Sequence, residues 1–330
     1  MNYIVFDLEW NQPADIKSTE KRKLQFEIIE IGAVKLDENK NIISSFNELV
    51  CPKVYKTLNW HTQKMLKIKM SDLKEGSPFT DVCRRFLNWC GEDVMFCSWG
   101  PQDLTELQRN MDYFGMKPLS DGPIPFYDVQ HIFAKAKKEE DTTRNLEAAV
   151  DMMNIDKDIA FHRAYSDAYY TAKIFKELPS QVTKNSVTYD IYHLPKTSKD
   201  EIRHTQGCES YYLSTGYDQR EDITGNRKIL SIGCPRCNGR ALRPKIRWYS
   251  TNSKVYYGAA ICSVHGPIKA KLRIKKNEFG KYYAEKFLSY CPISDVEELK
   301  QKKRSIKANR KQTPKDAILG KMPDAQNSKK

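Results

Sequence analysis

The N-terminal part of the chain carries three apolar segments that predict a strand meander. Residues 3–8 form a nearly continuous apolar run that predicts a strand buried on both faces. Residues 27–36 are rich in β-branched side chains, and residues 42–50 give a third strand pattern. The polar residues 37–41 between the second and third segments are typical of a hairpin turn. We therefore expect three antiparallel strands.

The pattern then changes to alternating strands and helices. Apolar residues recur at helical spacing in several stretches, and two short β-rich runs lie between them. The expected helices cover residues 62–70, 79–90, 102–115, 129–136, 146–154 and 165–178, and the expected strands cover 94–98 and 125–128. A meander followed by strand–helix repeats predicts an α/β domain over residues 1–180, with a mixed five-stranded sheet between helices.

The remaining chain has three different patterns. Residues 181–225 are polar and weakly periodic, so we expect a connector. Residues 226–290 alternate short strands with turns, which predicts a small β-rich module. Residues 291–330 form a basic tail with almost no apolar content from about residue 300, and we expect that part to be disordered.

Charge separates the two halves of the chain. The net charge is +13, yet residues 1–225 hold 29 Lys/Arg against 35 Asp/Glu. Residues 226–290 hold 15 basic and two acidic residues. The basic stretch also contains aromatic residues that can stack on bases, namely Trp248, Tyr249, Tyr256, Tyr257, Tyr282 and Tyr283. This combination favours a nucleic-acid partner over a surface that is basic only for solubility.

Cysteine usage and hydropathy indicate the compartment. The first apolar run is interrupted by acids, unlike a signal peptide, and no apolar stretch approaches the ~20 residues that span a bilayer. Nine cysteines without an export signal favour reduced thiols or metal ligands. We expect a cytoplasmic protein that has no membrane partner.

Acidic side chains mark the end of the first strand. Asp7 and Glu9 are two residues apart, so both leave the strand on the same side. Two carboxylates held together repel unless a cation binds them, and oxygen ligands suit a divalent metal ion. A third acid, Asp103, follows the fourth strand, and His162 precedes Asp167 by five residues at the start of a helix.

These residues, in this order, resemble the three motifs of the DEDDh exonucleases, the DnaQ-like branch of the ribonuclease-H-like superfamily. Segments such as FEIIEIGAVKLD and FCSWGPQDLTEL strengthen the resemblance, which is nearest to the KapD-like and histone-mRNA-exonuclease branch. It covers residues 1–178 and implies a ribonuclease-H-like fold and 3′-to-5′ hydrolysis with two Mg²⁺ or Mn²⁺ ions. By resemblance, Asp7 bridges both ions, Glu9 and Asp167 hold the one near the attacking water, and Asp103 supports the other. His162 is the implied general base.

Several further residues are candidates for substrate contact. The neighbours of the acids and two residues of later segments could line the substrate groove, although each has a structural alternative; they are Leu8, Trp10, His61 and Trp99. Glu27 and Glu30 on the second strand are equally consistent with the active site and with a solvent-facing position.

The C-terminal module contains a metal-ligand pattern. Cys234 and Cys237 are separated by two residues, as are Cys262 and His265, and glycines flank both pairs. Four such ligands complete a tetrahedral zinc site, and the pattern resembles a zinc ribbon in which one cysteine is replaced by histidine. The alternative is a metal-free pair of turns. Along 270–275, basic residues fall on one strand face and suit phosphate contacts.

Together these features predict an exonuclease with two divalent ions, one structural Zn²⁺ and single-stranded RNA as its preferred substrate. The alternatives are a DNA exonuclease or proofreading subunit, and a nucleic-acid-binding protein without activity. The C-terminal module could also bind a protein, whose identity the sequence does not indicate.

Overall fold

The computed structural model describes residues 1–13, 24–139, 144–237, 239–250, 252 and 254–319. The chain divides into two compact units, Met1–His193 and Leu194–Lys330, which we call the N-terminal and C-terminal units. Within the described ranges, no helix is both long and apolar enough to cross a membrane.

The N-terminal unit contains a seven-stranded mixed sheet. Its strands are β1 (Asn2–Asn11), β2 (Glu27–Leu36), β3 (Ile42–Cys51), β4 (Ser77–Pro78), β5 (Val94–Ser98), β6 (Ile124–Asp128) and β7 (Thr188–Asp190). Their order is β4-β3-β2-β1-β5-β6-β7, with β1–β3 antiparallel and β1, β5 and β6 parallel. The predicted fold class is confirmed, and the structure adds the short edge strands β4 and β7 to the five expected ones.

Eight helices of this unit are described. They are α1 (Trp60–Leu66), α2 (Met70–Lys74), α3 (Phe79–Cys90), α4 (Gln102–Tyr113), α5 (Val129–Lys137), α6 (Leu146–Met152), α7 (Ala164–Glu177) and α8 (Ser180–Lys184). Two apolar cores contain side chains from opposite faces of the sheet: Phe6 belongs to the one with α3 and α4, and Val5 belongs to the one with α5 and α7. This division follows from the alternation of side chains along a buried strand.

Strand β1 is longer than the sequence predicts, because its pairing with β2 continues to Asn11 opposite Glu27. Asp7 and Glu9 therefore lie inside the strand, before a pairing irregularity between Glu9 and Trp10. Strand β5 runs parallel to β1 and ends at Ser98. The loops that follow β1 and β5 thus leave the same edge of the sheet.

The C-terminal unit is built on a six-stranded sheet. Its strands are β8 (Ile202–Gln206), β9 (Glu209–Leu213), β10 (Pro244–Ser250), β11 (Val255–Cys262), β12 (Gly266–Lys276) and β13 (Tyr282–Tyr290), in the order β10-β11-β12-β13-β9-β8. The helices are α9 (Arg220–Thr224), α10 (Arg227–Leu230) and α11 (Ile293–Leu319), and a 3₁₀ turn covers Pro235–Cys237.

Two expectations for the C-terminal half need correction. Residues 181–225 are not a connector, because β7 extends the first sheet and β8 and β9 extend the second. These strands have three to five residues, too few for the alternation of a strand to be recognised. The tail is not disordered from residue 300, since α11 continues through residue 319. Its first turns pack Val296 and Leu299 against β10 and β11, and good helix formers follow.

Candidate functional site

Three carboxylates converge at the edge of the N-terminal sheet. One ligand oxygen from each of Asp7, Glu9 and Asp167 lies within 4.8 Å of the others. Asp7 and Glu9 share one face of β1, and Asp167 projects from the first turn of α7. Residues 160 positions apart in the sequence therefore form one cluster of oxygen ligands.

Asp103 joins this cluster through the backbone of β1. It lies in the first turn of α4 and is only 5% exposed. Its Oδ1 accepts a hydrogen bond of 3.2 Å from the N–H of Leu8, the residue between Asp7 and Glu9. The structure thus brings the fourth predicted acid beside the other three, although its oxygens lie outside the 4.8 Å group.

Gly32 allows α7 to approach the sheet closely enough for this arrangement. It pairs with Asp7 across β1 and β2. A Cβ atom at Gly32 would lie 2.0 Å from the backbone nitrogen of Tyr165 in the first turn of α7. Any larger residue would therefore force the start of α7, and Asp167 with it, away from Asp7.

The predicted general base lies in the turn that precedes α7. His162 is exposed and adopts a positive φ of 66°, a conformation uncommon for a residue other than glycine. Its backbone N–H donates to Asp167 Oδ1 at 3.3 Å. The next residue, Arg163, makes a bidentate ion pair with Glu30 on β2, with N···O distances of 2.8 and 2.9 Å. The first contact ties the turn to α7, and the second holds it against the sheet.

Arg163 is a functional candidate that the sequence did not indicate, and its partner Glu30 is one whose position the sequence left open. Glu30 is 1% exposed and is the β2 partner of Glu9, so its solvent-facing alternative is excluded. The available signal was a glutamate flanked by isoleucines on β2, because a charged group needs a partner when it is buried. The partner itself, 133 residues away, could not be read from spacing.

The electrostatics of the cluster favour a bound cation. Burial is the main reason why the pKa of each acid is raised, and neighbouring carboxylates add to it. The pKa of Asp7 is raised well above its usual range, that of Glu9 to about 8, that of Asp103 to about 7 and that of Asp167 to about 6. Divalent cations would stabilise the ionised forms of these four acids, which otherwise repel one another. The oxygen ligands therefore fit a hard metal ion.

The side chains of Leu8 and Trp10 pack against other apolar residues. Leu8 is 3% exposed and belongs to the apolar core, so the expectation that its side chain contacts substrate is wrong. The residue alternates with Asp7 and Glu9 along β1 and so points to the opposite face. Trp10 is partly buried, and its ring packs 5.4 Å from that of Phe26.

Trp99 and His61 differ from each other in their surroundings. Trp99 packs 5.9 Å from Phe133, and its indole N–H donates to the carbonyl of Arg144 at 3.3 Å, so much of the ring serves packing. His61 is exposed at the start of α1, with its ring 4.7 Å from that of Trp60. Of the two, His61 is exposed and Trp99 is partly buried.

The C-terminal unit brings together Cys234, Cys237, Cys262 and His265, whose ligand atoms lie within 4.8 Å of one another. Nδ1 of His265 is 3.3 to 3.7 Å from the three sulfurs, and the sulfurs of Cys237 and Cys262 are 3.9 Å apart. Four ligands about 2.3 Å from one centre stand about 3.8 Å apart in a tetrahedron. The spacing therefore fits a single zinc ion.

A neighbouring tyrosine supports this thiol cluster. The hydroxyl of Tyr290 lies 2.9 Å from Cys234 Sγ and accepts a hydrogen bond from the backbone N–H of Arg236 at 3.3 Å. Burial opposes ionisation of Cys234, yet hydrogen bonds led by that of Tyr290 lower its pKa to about 6. Thiolates are the form in which cysteines bind zinc.

Comparison with known proteins identifies the N-terminal unit. The model of the exonuclease family of RNase T type matches residues 4–175, just over half of the chain. No curated protein matches the chain.

Several solved structures are similar to the chain. The nuclease domain of 3′hExo, a DEDDh family member bound to rAMP, has a TM-score of 0.49 and 15% identity over 58% of this chain and 97% of its own. Cell-death related nuclease 4 has a TM-score of 0.46 and 19% identity over 57% and 66%. E. coli ExoI in complex with ssDNA has a TM-score of 0.41 and 15% identity over 53% and 40%.

Proposed function

The chain belongs to the RNase T exonuclease family, and from that premise we propose that it is a metal-dependent 3′-to-5′ exonuclease that releases nucleoside 5′-monophosphates. Single-stranded RNA is the substrate we favour. The observation that carries the proposal is the convergence of Asp7, Glu9 and Asp167 within 4.8 Å, beside the buried Asp103. A family member without activity has no need to keep four acids together against their mutual repulsion.

The same acids would hold the cofactor. Asp7, Glu9 and Asp167, with Asp103 beside them, offer the oxygen ligands that Mg²⁺ and Mn²⁺ prefer. When bound, two such ions supply positive charge that stabilises the extra negative charge on the phosphate oxygens.

His162 would accept the proton of the attacking water. Its side chain is exposed, its backbone N–H donates to Asp167, and histidine is the side chain best suited to accept a proton close to neutral pH. The ion pair of Arg163 with Glu30 fixes the turn from which the ring projects. These residues would place the base without taking part in the proton transfer.

The C-terminal unit would bind one structural Zn²⁺ through Cys234, Cys237, Cys262 and His265. We assign to this unit a second role, attraction of nucleic acid, because residues 226–290 carry 15 basic and only two acidic residues. Contacts of this kind go to phosphates and add affinity with little sequence preference. A cytoplasmic location stays a prediction, in keeping with nine cysteines of which none is in a disulfide.

The test compares the protein with its Asp7→Ala and Asp167→Ala variants on 5′-labelled oligonucleotides, with Mg²⁺ or Mn²⁺ supplied. We expect stepwise shortening from the 3′ end by the unsubstituted protein alone. Equal degradation by all three proteins would refute the catalytic assignment. Matched RNA and DNA strands, single and duplex, decide between the RNA and DNA proposals in the same assay.

Removal of residues 194–330, the whole C-terminal unit, addresses the role of that unit. If this unit binds nucleic acid, the slope of log affinity against log salt becomes shallower in the truncated protein, because fewer counterions are released. An unchanged slope favours a protein partner for this unit.

A further inference from the structure

One stretch of the N-terminal unit has a charge opposite to that of its surroundings. Residues 49–71 contain five lysines and no acidic residue, whereas elsewhere in residues 1–193 acidic residues outnumber basic ones by 29 to 20. All five side chains are exposed; they are Lys53, Lys56, Lys64, Lys67 and Lys69. A local basic surface on an acidic unit attracts a polyanion.

This stretch is held rigidly at both ends. The carboxylate of Glu27, which is 1% exposed, accepts hydrogen bonds from the backbone N–H groups of residues 53, 54 and 55 at 2.5 to 2.8 Å. Further along, Leu66 and Ile68 are buried in a small core with Ile29 and Leu73. The side chains of Leu66 and Ile68 thus point inward, and the lysines of the stretch are left at the surface.

The same stretch is fastened to the strand that carries the acids. The backbone N–H of Asn59, which caps α1, donates to Asn11 Oδ1 at 2.9 Å, and Thr62 Oγ1 donates to the carbonyl of Trp10 at 3.4 Å. Asn11 follows Glu9 by two residues, which is about 7 Å along a strand. The start of α1 therefore lies next to the carboxylate site.

An exposed aromatic pair lies at this position. Trp60 is 63% exposed, and the ring of the exposed His61 meets it nearly edge-on at 4.7 Å. The ammonium group of Lys64 lies 4.9 Å from the centre of the Trp60 ring. Tryptophan is usually buried over most of its surface, and a ring exposed beside cations matches the stacking sites that bind single strands.

We propose that the start of α1 binds the single strand that leads into the carboxylate site, with Trp60 stacked on a base and the lysines of residues 53–69 on its phosphates. The inference rests on the proposed exonuclease function and names the residues that receive its substrate. Stacking of this kind tolerates any base and requires an unpaired one, so the surface selects single strands without selecting sequence.

Binding is tested in the Asp7→Asn background, so that the strand is not degraded. Fluorescence anisotropy of labelled ten-nucleotide U and dT strands should show about 5- to 150-fold weaker binding after Trp60→Ala, the range expected for one lost stacking contact. Trp60→Phe keeps a stacking ring and should recover most of the affinity. Tyr113→Ala is the matched control: this aromatic is 44% exposed and lies ten residues after Asp103 on α4, about 15 Å away.

The lysines have a separate readout. Lys53→Gln with Lys56→Gln should reduce the slope of log affinity against log salt by about 0.7 for each lost phosphate contact. If the affinity of Trp60→Ala equals that of the unsubstituted background, or if this slope is unchanged, the proposal is overturned.

A small substrate separates this proposal from the catalytic one. Thymidine 5′-(p-nitrophenyl phosphate) has the bond to be hydrolysed but no second nucleotide to stack. In the otherwise unsubstituted protein, Trp60→Ala should leave its hydrolysis unchanged and lower kcat/KM on a ten-nucleotide strand. Equal losses on both substrates would show that Trp60 only supports the site, which contradicts the proposal. If the unsubstituted protein hydrolyses neither substrate, the exonuclease function is refuted. The binding measurement still decides the role of Trp60 in that case.

Discussion

The two candidate metal sites differ in what holds their ligands in place. At the carboxylate site, β1 and α7 belong to large apolar cores, and the fold forces together acids that repel one another. At the thiol site, Cys234 and Cys262 are themselves buried members of a small core with Ile232 and Ile268. The first site exists because the fold is stable, and the second contributes to that stability. On the proposed function, a metal ion would therefore serve chemistry at the first site and folding at the second.

We expect the largest effect from loss of zinc. Zinc binding is worth about 10–16 kcal/mol in zinc-finger peptides, as much as the whole stability of a typical domain. We expect Cys234→Ser, or a strong chelator, to unfold the C-terminal unit of the full chain while the N-terminal unit stays folded. Limited proteolysis should then leave a fragment of about residues 1–193. Cys291→Ser, a partly buried thiol outside the cluster, should leave the chain protected. A protected C-terminal unit in the chelated protein would contradict the comparison.

At the carboxylate site, loss of a ligand should abolish activity without unfolding. The metal ions that these acids would hold stabilise the transition state by several kcal/mol. Because Asp7→Asn removes one of the ligands, kcat/KM should fall about 10²- to 10⁴-fold. Because repulsion is relieved, the melting temperature in buffer without Mg²⁺ or Mn²⁺ should stay equal or rise. Glu75→Gln, an exposed acid that follows α2, is the control and should keep full activity. A lower melting temperature for Asp7→Asn in that buffer would argue that the acids hold the fold together.

Gly32→Ala should affect the position of α7. The added methyl group would lie 2.0 Å from the backbone of Tyr165, and overpacking of this kind costs about 1–3 kcal/mol. We expect a lower denaturant midpoint together with reduced activity, since Asp167 moves with the helix. At Gly122 a Cβ atom meets nothing within 4 Å, so Gly122→Ala should change neither quantity. Full activity of Gly32→Ala would mean that α7 can shift while the site stays intact.

The smallest expected effect concerns the turn that carries His162. Glu30→Gln keeps the shape of the side chain and removes the ion pair with Arg163, and loss of a supporting contact of this type lowers activity about 10- to 100-fold. The decrease should appear in kcat more than in KM, because the strand-binding surface is unchanged. Glu48→Gln breaks a more exposed ion pair with Arg85 and should have almost no effect. If the two variants have equal kcat and KM, Glu30 does not position the turn.

Sequence patterns predicted those features that depend on neighbouring residues. The five main strands follow from runs of apolar residues, and the acids on β1 and the thiol pairs follow from two- and three-residue spacings. Features that join distant segments were not predictable in this way. The partner of Glu30, the hydrogen bond from Leu8 to Asp103 and the clamp of Glu27 on residues 53–55 each depend on tertiary contacts. The exposure of Trp60 also required the structure, because α1 is a short helix whose apolar face cannot be assigned from seven residues.

The contact of α7 with Gly32 has a consequence for the timing of activity during synthesis. Asp7 leaves the ribosome early, whereas Asp167 follows 160 residues later, about 8–32 s at typical rates of elongation. Until α7 can dock on β2, the cluster lacks one of its acids and the turn that carries His162. With RNA as the proposed substrate, a nascent chain would therefore be unable to degrade the messenger RNA from which it is being translated. The distance in sequence between the acids acts as a delay that keeps the nuclease inactive until its unit is complete.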